Sequence, residues 1–495
     1  MRKSVIQIFS GNLFSKLLGL GREVLTAALF GTGQTIGSYR VAQTGTLVPV
    51  NFFTSDSLNS AFVPQYKLLK AVSQESAQTL FWSLAILFGF LSALLSVGLW
   101  LLAEPWVGLL APGLDLETSA LATGMLRIMS IGVPFYLISA LLIFLGMAND
   151  DFVPMATRPS VQNIGLIAGA ILAFSLKNAV FLAWGFTSSY VAFSVWVIVR
   201  VWRSGLLYWP KKWVWPRVKE VLFSFWQTLL PLLFLPFMLQ GNIAVERSVA
   251  SLIGLSAVSS IDYAKFVSET LVLLVSAPLA FAGLGSWSGL AHDEMNKQLS
   301  KLSFPVLLIS IPVSSFLIVN SYTVVEAAYS RGAFDIASVN VTGNILLGIA
   351  IGLWAQVLGY VFIKALNAQR RNGAVLRVMA VALSANVACN LALYSHLGAM
   401  TLGFGNAAYG LVLLGGTLTA LGLWRDVLER GWILAVAAIG YFLLNYMLPR
   451  PESVWTELSM AIAVAVIYWT LWVVLVPHIR QAVVEVISPK LRKVT

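Results

Sequence analysis

Twelve charged residues interrupt stretches of sequence that are otherwise apolar: the cations Lys16, Arg22, Arg40, Arg127, Arg247, Lys265 and Lys364, and the carboxylates Glu23, Asp56, Glu246, Asp262 and Glu269. A charge in the middle of a membrane span costs about 2.5–3.5 kcal/mol on insertion scales, so such residues persist only where they are paired, reach the interface or face a polar path. The cations outnumber the carboxylates, which favours an anionic ligand. Guanidinium groups grip phosphate oxygens through parallel N–H donors, and a diphosphate head group is a fitting cargo. On the first apolar segment Ser15, Gly19 and Arg22 follow i, i+4 and i+7 spacing, which places them on one helical stripe with Lys16 and Glu23 beside it. Gly19 and Gly21 leave room there for a second helix or for a ligand. A structural account of the same residues stays open, with Arg22 paired to Glu23 or Asp56 and Arg247 to Glu246. Lys364, close to a span end, suits snorkelling. Arg40 leans towards function, and both roles stay open for Arg127.

The elements that must carry these residues follow from composition. Of 495 residues 58% are hydrophobic and only 11% charged, against roughly 25% charged in soluble domains. The chain reads as an all-α polytopic membrane protein, because at about 20 apolar residues per span it holds enough for about fourteen helices. The apolar runs place them near 9–30, 38–64, 78–103, 120–147, 156–176, 178–202, 221–245, 257–283, 303–323, 341–368, 373–394, 400–422, 432–448 and 457–477. The N-terminal run resembles a signal sequence, yet Lys16, Arg22 and Glu23 interrupt it and no small-residue cleavage site follows, so it reads as a retained first helix. With that terminus inside, cytoplasmic segments hold 22 of the 32 Lys and Arg, and Lys177, Arg331 and Arg450 alone lie on the other side. This bias predicts an even number of spans with both termini cytoplasmic. It also accounts for the net charge of +11 without nucleic acid.

The connection at 203–219 mixes prolines, tryptophans and basic residues near mid-chain and reads as an interfacial linker. The expected division is therefore an N-terminal lobe of six helices over 1–203, a linker over 204–219, a C-terminal lobe of six over 220–423, and two further helices with a basic tail over 424–495. The in-span charges concentrate in helices one, two, seven and eight, as suits two lobes lining one cavity. Cys389 is the single cysteine, so no disulfide forms within the chain, and His292, His396 and His478 show no metal-ligand spacing. An enzyme would need a positioned base or metal site. His292 beside Asp293 and Glu294 reads as a solvated turn, and the other two histidines sit at predicted span ends. No cofactor is expected beyond a coupling ion or the membrane potential.

Several segments resemble the MurJ/MviN family of the MOP flippase superfamily: FSKLLGLGRE (14–23), SDSLNSAFVPQY (55–66), LLAPGLD (109–115), RPSVQNIGLI (158–167), VERSVASLIGLSAVSSIDYAKFV (245–267), YSRGAFD (329–335) and NAQRRNGAVLRV (367–378). The resemblance lies in their order and spacing over most of the chain. It implies a MATE-like fold with two six-helix lobes about a V-shaped central cavity and two additional helices, in a bacterial cytoplasmic (inner) membrane. It also implies flipping of undecaprenyl-diphosphate-linked saccharides, lipid II above all, to the outer leaflet by alternating access. Ser15, Lys16 and Arg22 match the helix-one cavity motif, with Lys16 where an arginine is usual, and Ser259 matches a cavity serine of helix eight. Gly37 stands where an acidic residue is usual, Val50 and Asn51 where basic ones are, and Phe266 where an arginine is, with Lys265 one position before it.

These readings combine into a site in which Lys16, Arg22 and Arg247 take the diphosphate, joined by Arg40, Asp56 and Lys265, and the sugar lies among Ser15, Asn51, Asn59 and Ser259. The departures leave two substrates open at this stage, lipid II and an exopolysaccharide or O-antigen repeat unit on the same carrier. Cell-wall or polysaccharide synthesis proteins are the corresponding partners, besides membrane lipids. A cation-coupled exporter of organic cations shares the superfamily architecture, but the cation excess would repel its cargo. YSRGAFD falls in the outer connection between helices nine and ten, where Gly332 marks a tight turn and Arg331 with Asp335 a local pair; gate and loop lock both fit it.

Overall fold

In the computed structural model, which describes residues 2–54, 56–211, 213, 215–287, 292–477 and 480, the apolar runs form eighteen α-helices. His478 and the side chains of Asp56 and His292 lie outside the described set. Contacts sort the chain into two compact units, the first made of Met1–Ser259 with Arg331–Phe334. It holds α1 (Arg2–Phe30), α2 (Gln34–Phe53), α3 (Asp56–Val72), α4 (Gln74–Leu101), α5 (Ala103–Leu110) and α6 (Leu116–Ser130). It also holds α7 (Val133–Ala148), α8 (Val153–Ser175), α9 (Val180–Arg203), α10 (Trp215–Leu232) and α11 (Phe234–Ile253). The helix α12 (Leu255–Trp287) starts in this unit and continues into the second, Ser260–Ser330 with Asp335–Thr495. There follow α13 (His292–Tyr329), α14 (Ile336–Ala368), α15 (Asn372–Leu397), α16 (Met400–Leu421), α17 (Trp424–Met447) and α18 (Val454–Leu475).

The fourteen expected spans fall on these helices, and three of them are split in two. The breaks lie after Phe53, at Ile131–Gly132 and at Leu233. By length and composition eight described helices can cross a membrane, and α6 with α7, bent by 46°, make a ninth if taken as one span; fourteen is not reached on this criterion. Among the described residues α1, α2, α8 and α11 carry the arginines and amides considered below, which lower their hydropathy, and the side chains of α12 after Val272 lie outside the described set.

Helix ends follow their local sequence. Asp115 caps α6, accepting from the Thr118 N–H (2.8 Å) and its hydroxyl (3.0 Å), and Asp335 caps α14 by accepting from the Ser338 N–H (2.8 Å). These donors hold both carboxyl groups below the usual carboxylate range, through the Thr118 N–H at Asp115 and through the Ser338 side chain first at Asp335. Asp335 is thereby engaged as a cap rather than only as the local partner expected for Arg331. The expected tight turn is present at Gly332, with φ +59°. Within the first unit its neighbour Ala333 donates N–H to the Ala28 carbonyl (2.8 Å), and Gly31 (φ +58°) faces the Ala333 carbonyl so closely that a Cβ at either glycine would overlap backbone.

Small residues set the helix pairings that position the site. In the first unit α8 lies against α9 along Gly165, Gly169 and Gly185, and a Cβ at Gly169 would stand 2.8 Å from the Gly185 Cα. In the second unit α14 and α16 meet in the same way, with a Cβ at Gly348 falling 2.8 Å from the Gly403 Cα, while α13 kinks at Asn320 (φ −117°, ψ 22°). Overpacking of this kind costs about 1–3 kcal/mol. Gly169→Val should therefore lower the melting temperature of the detergent-solubilised protein by several degrees, whereas Gly98→Val, where a Cβ meets nothing within 4 Å, should leave it unchanged. Equal melting of the two variants would refute the seam as the determinant of α8 placement.

Candidate functional site

The stripe expected on α1 faces inward, and Ser15, Gly19, Glu23 and Thr26 are buried along it. Glu23, 2% exposed, splits its carboxylate between two helices. One oxygen accepts from Arg22 through Nε (3.1 Å) and through Nη2, and the other accepts from Nη2 of Arg40 on α2. Arg40 also donates to Gln43 Oε1 (3.3 Å). Arg22 turns its Nη1 to Asn163 Oδ1 on α8 (2.8 Å), and the Asn163 amide donates in turn to the Ser15 carbonyl (3.0 Å) and hydroxyl (3.4 Å). One carboxylate between two guanidinium groups stabilises both in a low-dielectric interior and leaves the triad with one net positive charge.

A second cluster adjoins it on α8. The Tyr136 hydroxyl of α7 donates to Asn51 Oδ1 on α2 (2.9 Å), and the guanidinium carbon of Arg158 sits 4.0 Å from the centre of the Tyr136 ring. That distance lies within cation–π range. Tyr190 of α9 packs on Tyr136 with ring centroids 4.7 Å apart and is within electrostatic reach of both Arg158 and Arg22. Helices α1, α2 and α8 of one unit thus carry Arg22, Arg40 and Arg158, with Glu23 the acidic partner of the first two, a positive excess suited to attracting an anion.

The family model of "Lipid II flippase MurJ" matches residues 26–448. The chain belongs to this family. A probable lipid II flippase MurJ of Synechocystis sp. is 26% identical over 462 residues, which cover 86% of this chain and 84% of that protein. Among solved structures, lipid II flippase MurJ in an inward closed conformation superposes with a TM-score of 0.82 at 20% identity, covering 94% of this chain and 99% of that one. The Vibrio cholerae MATE transporter VcmN superposes at 0.60 with 16% identity, covering 86% and 97%. The fold is therefore that shared by MurJ and MATE transporters, and as a member of a flippase family the chain is a membrane transporter.

The remaining residues singled out in the sequence lie as follows. Arg247 of α11 donates through Nε to Thr44 Oγ1 of α2 (3.0 Å) and through Nη1 to the Val258 carbonyl, so it ties α2 to α11 and the start of α12. Ser259 is fully buried, and its hydroxyl has no hydrogen-bond partner among the described residues; the same holds for Asn59 Oδ1 on α3. Lys16 is half-buried on α1, and Lys265 is half-buried on α12 in the second unit. Asp56 lies outside the described side chains. Arg127 stacks on Trp100 (5.7 Å) and Lys364 on Tyr360 (5.1 Å). At Gly37, where MurJ relatives are expected to carry an acid, a Cβ would lie 2.7 Å from the Leu255 side chain, which fills that space.

Sequence reasoning missed Arg158, which it placed among the cytoplasmic orienting charges. Its signal was available: Gln162 and Asn163 follow one turn later inside an apolar span, a polar facet on a helix that otherwise has little reason to carry one. Removing one partner of a buried ion pair costs about 3–5 kcal/mol. Glu23→Gln should accordingly lower the melting temperature far more than Gln43→Ala, because it leaves Arg22 and Arg40 without a shared anion; matching melting curves would rule out Glu23 as the organising charge.

Proposed function

We propose that the chain flips lipid II from the cytoplasmic to the outer leaflet of the bacterial cytoplasmic membrane by alternating access, with both termini cytoplasmic and 1–203 and 220–423 acting as the two lobes. The observation that carries this reading is the pair Arg22 and Arg40 about one carboxylate, with Arg158 held on the ring of Tyr136, set within apolar helices of a chain that belongs to a flippase family. A diphosphate crossing a hydrocarbon core of roughly 30 Å loses its hydration, and fixed guanidinium donors offset that loss. Lys16 and Arg22 on α1 receive the diphosphate, with Arg40 behind them and Arg247 from α11 completing the charge. The saccharide lies among Ser15, Asn51, Asn59 and Ser259, and the prenyl tail stays in lipid. Rocking of the lobes then exposes the head group on the other side.

Lipid II is favoured over a polysaccharide repeat unit because the family model and the curated relatives are named for lipid II. The shared MATE fold does not argue for cationic cargo, since like charges in the cluster would repel it. Proteoliposomes loaded with fluorescent lipid II should show accelerated exposure of the head group in the opposite leaflet. Arg22→Ala should slow that exposure by at least tenfold, the scale of about 1.4 kcal/mol, with expression unchanged. Wild-type protein that moves no lipid II, or moves only polysaccharide-linked carriers, would overturn the proposal.

A further inference from the structure

We propose that Arg158, helped by Gln162, is a diphosphate contact supplied by α8 beside Asn51 of α2. The proposal rests on the flippase reading and adds a substrate-specificity residue to it. Asn51 and Arg158 meet on the same tyrosine: the Tyr136 hydroxyl donates to Asn51 Oδ1 at 2.9 Å, and the ring face of Tyr136 carries the Arg158 guanidinium at 4.0 Å. A cation supplied from α8 therefore reaches the region that a longer basic side chain at 51 would occupy.

Arg158 also carries a nitrogen that no side chain or carbonyl among the described residues engages. Arg22 is engaged by Glu23 and Asn163, Arg40 by Glu23 and Gln43, and Arg247 by Thr44 and Val258. Arg158 Nη2 is shielded from solvent and has no hydrogen-bond partner among the described residues, and no carboxylate among them pairs with it. Gln162 Nε2, one turn along the same helix, is likewise shielded and unpartnered among the described residues. Residues at i and i+4 share a helix face, so both donor groups point from one facet of α8. The contact of the Arg158 guanidinium with the Tyr136 ring is a cation–π contact that needs none of its hydrogen bonds, which a phosphate oxygen can accept. The glycine contacts of α8 with α9 fix the backbone beneath. A shielded donor without a partner is unfavourable unless an acceptor completes it, and a phosphate oxygen of the substrate supplies that acceptor.

The test compares two carriers on protein in nanodiscs: undecaprenyl diphosphate and undecaprenyl phosphate. Arg158→Gln should weaken diphosphate binding about tenfold, weaken monophosphate binding clearly less, and leave the melting temperature of the ligand-free protein unchanged or raised. Arg158→Lys should keep part of the diphosphate preference, and Asn51→Arg added to Arg158→Gln should recover it. Equal losses for both carriers together with a lowered melting temperature would mark Arg158 as structural and overturn the proposal. Unchanged diphosphate binding by Arg158→Gln, in protein whose wild type still flips lipid II, would overturn it while leaving the flippase reading standing. A wild type that binds neither carrier would overturn both. Should Arg158→Gln not fold, Gln162→Ala carries the same comparison: a diphosphate-selective loss supports the proposal and equal binding refutes it.

Discussion

The arrangement depends on one carboxylate shared by two guanidinium groups. Glu23 bridges Arg22 on its own helix and Arg40 on α2 in a place where the carboxylate is 2% and Arg40 5% exposed. Without that carboxylate two cations among apolar helices would lose the anion they share, a loss that membrane insertion and packing both oppose. With it, Arg22 is oriented so that its remaining nitrogen reaches Asn163, and through Asn163 the helices α1 and α8 are joined at Ser15. A single anion thus sets the distance between three helices and still leaves the cluster net positive. That surplus would attract an anion.

Placement of the second cluster follows from a different constraint, close backbone contact. The α8–α9 seam of Gly165, Gly169 and Gly185 holds the helices of Arg158 and Tyr190 together, and α7, packed on α9, supplies the Tyr136 ring that both residues meet. Here the fold uses side chains too small to hold helices apart, because in lipid the association of helices gains little from the hydrophobic effect and depends on packing and hydrogen bonds. The polar residues of the site are then ordered by aromatic faces as well as by charges.

Much of this was legible beforehand because helical periodicity is simple and membrane charges are few. The stripe of Ser15, Gly19 and Arg22, with Glu23 beside it, follows from spacing alone, and Glu23 was one of two partners that the sequence left open for Arg22. Arg40 could be singled out as a charge within a span, but its partner lies seventeen residues away on another helix, a tertiary fact no local pattern encodes. Arg247 drew attention as a candidate ligand, and its visible bonds go to Thr44 and Val258, because a buried guanidinium can be satisfied by a hydroxyl and a carbonyl as well as by a carboxylate. Arg158 was hidden for the opposite reason. It lies close to the start of α8, where a basic residue is normally an orienting charge, and only the neighbouring Tyr136 shows that it turns inward. The split at Ile131–Gly132 was foreshadowed by Gly132 and Pro134, yet hydropathy alone reads the two pieces as one run.

The central claim is that the diphosphate of a lipid-linked saccharide is held by the arginines around Glu23 and Tyr136. Single-particle imaging of the protein in nanodiscs containing lipid II tests it most directly. The account predicts phosphate density within hydrogen-bonding distance, about 3 Å, of Arg22 and Arg158 nitrogens, with Glu23 still bridging Arg22 and Arg40. Lipid II density confined to the lipid-facing surface, with the arginine cluster unchanged and unoccupied, would contradict it.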